Sequence, residues 1–282
     1  MKTLPEVFVF MKTKRNICII GGYDDISKSY FDDLQKSKKQ SIFLNLNKTK
    51  FKKKNVFGLE VYELKKMLHI LKFKNVGEII FLGKIDRPNL KNFKLDGEID
   101  KFIPILHNAY KMGDDFLLKS IINIFKEYGF SIKSPLDLST SYSLSKKDLK
   151  NNPNSITKMD IKKGRDILLA LSKFDNAQSI VIIDGYILAI EAAEGTDQML
   201  ERVITIRKKN KTINEKKGVL VKIPKRNQSR SVDLPVLGPK TIEIASKANL
   251  ASIAIDPLCT LVLKKKTFLN KASKENINLY LV

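Results

Sequence analysis

Ile17-Cys18-Ile19-Ile20-Gly21-Gly22-Tyr23 decides the fold. With Asn16 before it, this is an unbroken apolar run of the kind that forms a strand buried on both faces, as in a parallel sheet. It ends on two glycines, and a helical segment starts at about Asp25. Glycines at such a turn let backbone N–H groups approach a phosphate, and the helix N-terminus favours an anion. The third glycine of a full dinucleotide fingerprint is missing, which disfavours a Rossmann-type oxidoreductase.

Working outward, Ser41 to Leu46 is a second strand, Tyr62 to Leu71 a helix and Glu78 to Leu82 a further strand. Strands alternating with helices predict a parallel α/β sheet. Asp115 to Tyr128 places Leu117, Ile121, Ile124, Phe125 and Tyr128 on one helical face, with Gly129 closing it. Residues 1–10 read as an N-terminal extension, 11–138 as a Rossmann-like N-terminal domain and the polar stretch 139–157 as a connection. Residues 158–282 read as a distinct α+β C-terminal domain. It opens with a helix over Lys158 to Leu171. Ser179 to Ile183 and Tyr186 to Ala192 follow as strands joined by Asp184-Gly185, a type I′ hairpin signal. Then come a helix near Met199 to Ile206, strand Gly218 to Lys222, helix Thr241 to Asn249, strand Ser252 to Ile255, and a hairpin-like or split pair ending at Val282.

Composition narrows the function classes. The chain has 282 residues, 43% of them hydrophobic, and no run approaches the roughly 18 apolar residues of a membrane helix. Val7 to Met11, flanked by Glu6 and Lys12-Thr13-Lys14-Arg15, makes a poor signal peptide. Cys18 and Cys259 sit in apolar runs and read as buried thiols in a reducing, cytoplasmic compartment. The net charge is +22, but only seven of the 52 basic residues are arginine. Base readout and bidentate phosphate recognition favour arginine, so a solvated lysine surface is a better reading than specific nucleic-acid binding. Such a surface suits anionic phospholipid or a diphosphate substrate.

Several clusters carry chemistry. Gly83 and Arg87 follow a second strand of the first sheet, so a ligand at its carboxyl edge would touch both glycine turns. Asp114 and Asp115 either cap the helix that follows or face a ligand. Glu194-Gly195-Thr196-Asp197 has the same two readings, with Thr196 as the N-cap in the first. Glu191, Glu194 and Asp197 crowd one strand exit, where their repulsion needs a cation or donor groups to balance it. Lys222 and Lys225 flank Pro224 at another exit, and Asp233 precedes Leu234-Pro235. Basic and acidic clusters on neighbouring loops suit a diphosphate with a divalent metal. With His69 and His107 as the only histidines and no Cys/His zinc spacing, that metal is expected to be hard and oxygen-ligated, which makes Mg2+ the natural choice. No Gly-x-Ser-x-Gly elbow is present.

In order and spacing, these segments resemble the UDP-2,3-diacylglucosamine pyrophosphatase family of lipid A biosynthesis that is not of the metallophosphoesterase type. The resemblance runs through Gly21-Gly22, Gly83 with Arg87-Pro88, Lys111 to Asp115, Glu194 to Asp197 with Met199-Leu200 and Arg202-Val203, and Gly218 to Pro235. The sequence departs from the family pattern at Tyr23, at Lys84 and over residues 141–150. The resemblance implies a Rossmann-like N-terminal domain, a distinct C-terminal catalytic domain and a lipid-linked nucleotide sugar substrate. The implied reaction is Mg2+-dependent hydrolysis to 2,3-diacylglucosamine 1-phosphate and UMP. It makes Asp233 the catalytic aspartate, holding the metal or orienting the attacking water. It further implies peripheral contact with the inner membrane surface, and a homodimer stays open. The alternative class is a non-enzymatic nucleotide-sugar or nucleic-acid binder, which would have no need of Asp233.

Overall fold

The computed structural model describes residues 15–47, 53–85, 101–112, 114–174, 176–225 and 234–282. Arg87 and Asp233 lie outside the described residues. The chain divides into two compact units, one of Met1–Asn108 with Ser120–Ile132 and the other of Ala109–Lys119 with Lys133–Val282.

In the first unit, β1 is Asn16–Gly21, α1 Asp25–Lys36, β2 Ser41–Asn45, β3 Val56–Gly58, α2 Leu64–Phe73 and β4 Val76–Phe81. Two helices then run in succession, α3 over Ile103–Met112 and α4 over Asp114–Glu127, before the short β5, Ser131–Ile132. The strands form one parallel sheet in the order β3-β2-β1-β4-β5. Ile17 to Ile20 are all buried, as a central strand covered on both faces requires. Gly129, at φ +86°, closes α4 in the left-handed conformation that glycine adopts freely.

The chain reverses its direction of travel across the sheet between β1 and β4, so their carboxyl ends form a topological switch point. The glycines there are needed by the protein itself. A Cβ on Gly21 would stand 2.0 Å from the Leu82 carbonyl oxygen, and one on Gly22 would stand 1.9 Å from that of Lys84. The turn after β1 thus packs backbone to backbone against the strand exit that contains Gly83. Ser27 Oγ donates to the Gly22 carbonyl at 2.6 Å. Asp24 caps α1 by accepting from Ser27 N at 3.0 Å, and its second oxygen accepts from Lys84 N at 2.8 Å. Asp24 thus joins the first turn of α1 to the strand exit after β4.

The second unit begins its main body with α5, Pro135–Leu138, and α6, Ser155–Leu171. The stretch 139–157 falls in this unit, and Leu144 is part of its core. There follow β6 Ser179–Ile183, β7 Tyr186–Ile190, α7 Thr196–Lys209, β8 Val219–Lys222, β9 Val236–Leu237, α8 Pro239–Lys247, β10 Ser252–Ile255, β11 Leu261–Val262, α9 Lys265–Lys274 and β12 Asn278–Leu281. Five strands form a mixed sheet in the order β12-β10-β8-β6-β7. Strands β8, β10 and β12 are parallel, and β6 is antiparallel to both β8 and β7. Asp184 and Gly185 join β6 to β7 with φ +48° and +79°, as a type I′ turn needs. Helix α6 packs Ile161 and Leu168 on one face of the sheet. On the other face α7, α8 and α9 bury Val203, Ile242 and Phe268 against Val181, Leu220 and Ile253.

The chain end is not a hairpin. β11 pairs with β9 in a separate two-stranded parallel sheet, and β12 returns across α9 to lie parallel to β10. The intervening helix makes the parallel return possible, since a tight turn joins only antiparallel neighbours. No helix among the described residues is long and apolar enough to cross a membrane.

Because the atoms a Gly22 methyl would meet are backbone, Gly22→Ala forces two strand exits apart. Its urea midpoint is expected to correspond to a loss of about 2 kcal/mol or more; an unchanged midpoint contradicts the close approach.

Candidate functional site

The second unit gathers charge at the carboxyl edge of its parallel strands. Lys222 ends β8 and pairs in antiparallel register with Ser179, which opens β6. The chain leaves β7 at Glu191, whose N–H donates to the Ser179 carbonyl at 2.9 Å. It then turns through Gly195, at φ +82°, into α7. Gly195 is the N-cap, and it supplies no side-chain cap. Thr196, expected as a possible cap, is the first helical residue instead, with its hydroxyl turned into the protein.

That hydroxyl sits in a buried ring of polar groups. Lys222 Nζ donates to Thr196 Oγ1 at 2.5 Å and lies 3.7 Å from Glu191 Oε2. Thr196 Oγ1 donates to Glu191 Oε1 at 3.2 Å, and Ser179 Oγ donates to Glu191 Oε2 at 2.5 Å. Lys222 is 4% exposed and Thr196 9%; the side chain of Glu191 is 11% exposed. An ammonium and a carboxylate this deeply buried are tolerable only when paired and hydrogen-bonded, as these are.

The other carboxylates of the segment are balanced by the chain's own donors. Glu194 Oε1 accepts from Arg202 at 2.6 Å, and Arg202 also donates to the Ile190 carbonyl at 2.9 Å. Its own backbone N–H, and then the Arg202 guanidinium, hold the Glu194 carboxyl below the usual glutamate range. Asp197 accepts from Thr241 Oγ1 at 3.1 Å and lies 3.5 Å from Lys240 Nζ, which ties the first turn of α7 to that of α8. Two helix N-termini therefore meet at one sheet edge, each lending partial positive charge. The repulsion foreseen among Glu191, Glu194 and Asp197 is relieved by donors of the chain itself.

Among the described residues no group of three or more His, Cys, Asp or Glu could hold a metal ion. Lys225 lies three residues beyond β8 at the same exit and is half-buried. Downstream of the undescribed stretch, Leu234 is buried and the Pro235 carbonyl accepts from Leu261 N at 2.8 Å. The small β9–β11 sheet thus anchors the chain directly after Asp233.

Glu194, Gly195, Thr196, Asp197 and Lys222 come together at this edge. Gly21, Gly22 and Gly83 come together in the first unit, and Asp114 and Asp115 form the first turn of α4. Sequence reading missed Ser179, whose part depends on strand register, and Arg207. Arg207 is fully buried and donates to the carbonyls of Ala248, Asn249, Thr212 and Glu215, closing the end of α8. Its rarity in a lysine-rich chain was the available signal, the same one that singled out Arg87.

Fold and site define a two-domain α/β protein with a cluster of charged residues at one edge of its second sheet. The LpxI N-terminal domain model matches residues 16–142, and the LpxI C-terminal domain model matches residues 147–280. The chain belongs to the LpxI family. It is 31% identical over 222 residues to the UDP-2,3-diacylglucosamine pyrophosphatase LpxI of Caulobacter vibrioides, covering 78% of this chain and 79% of that protein.

Glu194 titrates lower in the folded chain than its ordinary 4.5. Its contribution to stability is complete above that value and is lost as pH falls through the depressed one. The difference in Tm between the wild type and Arg202→Ala is therefore expected to shrink as pH is lowered from about 6 to about 3. A constant difference means that Arg202 acts through packing alone.

Proposed function

We propose that this protein hydrolyses the diphosphate of UDP-2,3-diacylglucosamine, with water, to 2,3-diacylglucosamine 1-phosphate and UMP, a step of lipid A biosynthesis. Its membership of the LpxI family along both halves carries the proposal, together with the activity in the name of the Caulobacter relative. The sheet edge supports it chemically. The N-termini of α7 and α8, whose N-cap glycines carry no capping side chain, and the lysine behind Thr196 offer fixed donors and dipoles where a diphosphate gains negative charge in its transition state. Asp233 is the residue proposed to orient the attacking water or to hold a metal.

Mg2+ is proposed as the cofactor. The paired carboxylates of Glu191, Glu194 and Asp197 do not make a cage for it. Mg2+ commonly needs only one or two carboxylates besides substrate phosphates, and Asp233 with the diphosphate meets that requirement. Bound there, it would neutralise charge on the phosphoryl oxygens. With a net charge of +22, the protein is proposed to work in the cytoplasm against the anionic inner membrane surface, where its lipid substrate resides.

Incubation with UDP-2,3-diacylglucosamine and Mg2+ is expected to release UMP, with activity lost in EDTA and restored by Mg2+. Full turnover in EDTA removes the metal from the mechanism. Asp233→Ala is expected to abolish turnover while substrate still binds, since it removes only transition-state stabilisation. If Asp233 is a loop cap instead, the variant loses about 1 kcal/mol of stability and keeps its turnover.

A further inference from the structure

We propose, on the basis of the pyrophosphatase activity above, that Glu191 is a positioning residue: it holds the Lys222 ammonium fixed behind the first turn of α7, where the diphosphate is stabilised. The Lys222 ammonium is 4% exposed, and burial by itself favours the neutral amine. The Glu191 carboxylate 3.7 Å away opposes that, and it is held in place by Ser179 from β6 and Thr196 from α7. The β10 neighbour of Lys222 is the uncharged Ile255, and Asp197 is turned towards Thr241 and Lys240. Thr196 joins the two functions. Its hydroxyl takes the hydrogen bond from Lys222, and its backbone begins α7 directly after Gly195. The lysine ammonium is thus fixed against the first residue of α7.

The pair also explains why both charges are buried instead of one. Each charge offsets the cost of taking the other out of water. The pair is neutral as a whole, and what it adds to the site is a fixed dipole whose ammonium end lies against Thr196, which needs no reorganisation as charge develops on the substrate.

The test is the pH dependence of kcat and KM for UDP-2,3-diacylglucosamine hydrolysis, with Tm measured alongside. Glu191→Gln keeps the shape and one acceptor oxygen but withdraws the negative charge, so Lys222 loses its proton more readily. The alkaline limb of kcat is expected to move down by about one pH unit or more, with kcat at about pH 9 reduced about tenfold and KM little changed. Thr196→Ser, which retains the hydroxyl, is expected to keep the wild-type profile. Glu191→Gln combined with Lys222→Met removes both buried charges and so preserves the fold. It is expected to have a low kcat and to lack the wild-type alkaline limb. A Glu191→Gln enzyme that is less stable but has the wild-type profile, or a double variant with wild-type kcat, overturns the proposal and leaves the pair purely structural. A wild-type protein that releases no UMP in the same assay overturns the proposed function, and this inference with it.

Discussion

A lysine ammonium buried behind a helix N-terminus governs the second half of this protein. Lys222 sits at the end of β8, where its backbone is committed to two neighbouring strands. Its side chain must therefore find partners within the reach of one lysine. Thr196 from α7, Glu191 from the exit of β7 and, through that glutamate, Ser179 from β6 provide them. Four segments are thus fixed by one charge. The alternative, an unpaired ammonium out of water, is far more costly than any single surface contact.

The same demand for internal compensation recurs across the molecule. Asp24 occupies the N-terminus of α1 and reaches the strand exit at Lys84. Arg207 is buried against four backbone carbonyls at the end of α8 and in the loop after α7. Glu194 is held by Arg202. Polar residues that look available in a sequence become parts of the scaffold once buried, because each must be satisfied where it lies. The surface lysines are another matter. Pairs such as Lys162 with Asp166 and Lys36 with Asp33 are solvated and contribute little to stability. The excess of lysine sets the long-range field of the protein and leaves the fold to the core.

The two sheets show different relations between a glycine and function. Gly21 and Gly22 are glycines because backbone from the neighbouring strand exit occupies the volume a Cβ would take. Gly195 has open space around it and is glycine because its φ is +82°. The first pair lets two stretches of backbone pack directly against each other. The second lets the chain turn into a helix whose N-cap residue has no side chain to offer its first N–H groups.

The sequence alone determined the strand–glycine–helix opening, the parallel first sheet, the type I′ turn at Asp184-Gly185 and the mixed character of the second half. These follow from local hydrophobic period and backbone permissiveness, which a few adjacent residues specify. It also brought Thr196, Asp197 and Lys222 to notice as residue types unusual at strand ends. Only the tertiary structure decided what they do. Ser179 meets Glu191 because β6 and β7 pair in one register, and Lys222 meets Thr196 across 26 positions of chain. The path of the last strand was likewise undecided until β12 paired with β10 instead of β11. Pairing partners and charge partners are chosen by long-range packing, in which every buried polar group needs a counterpart, and no short window of residues carries that information.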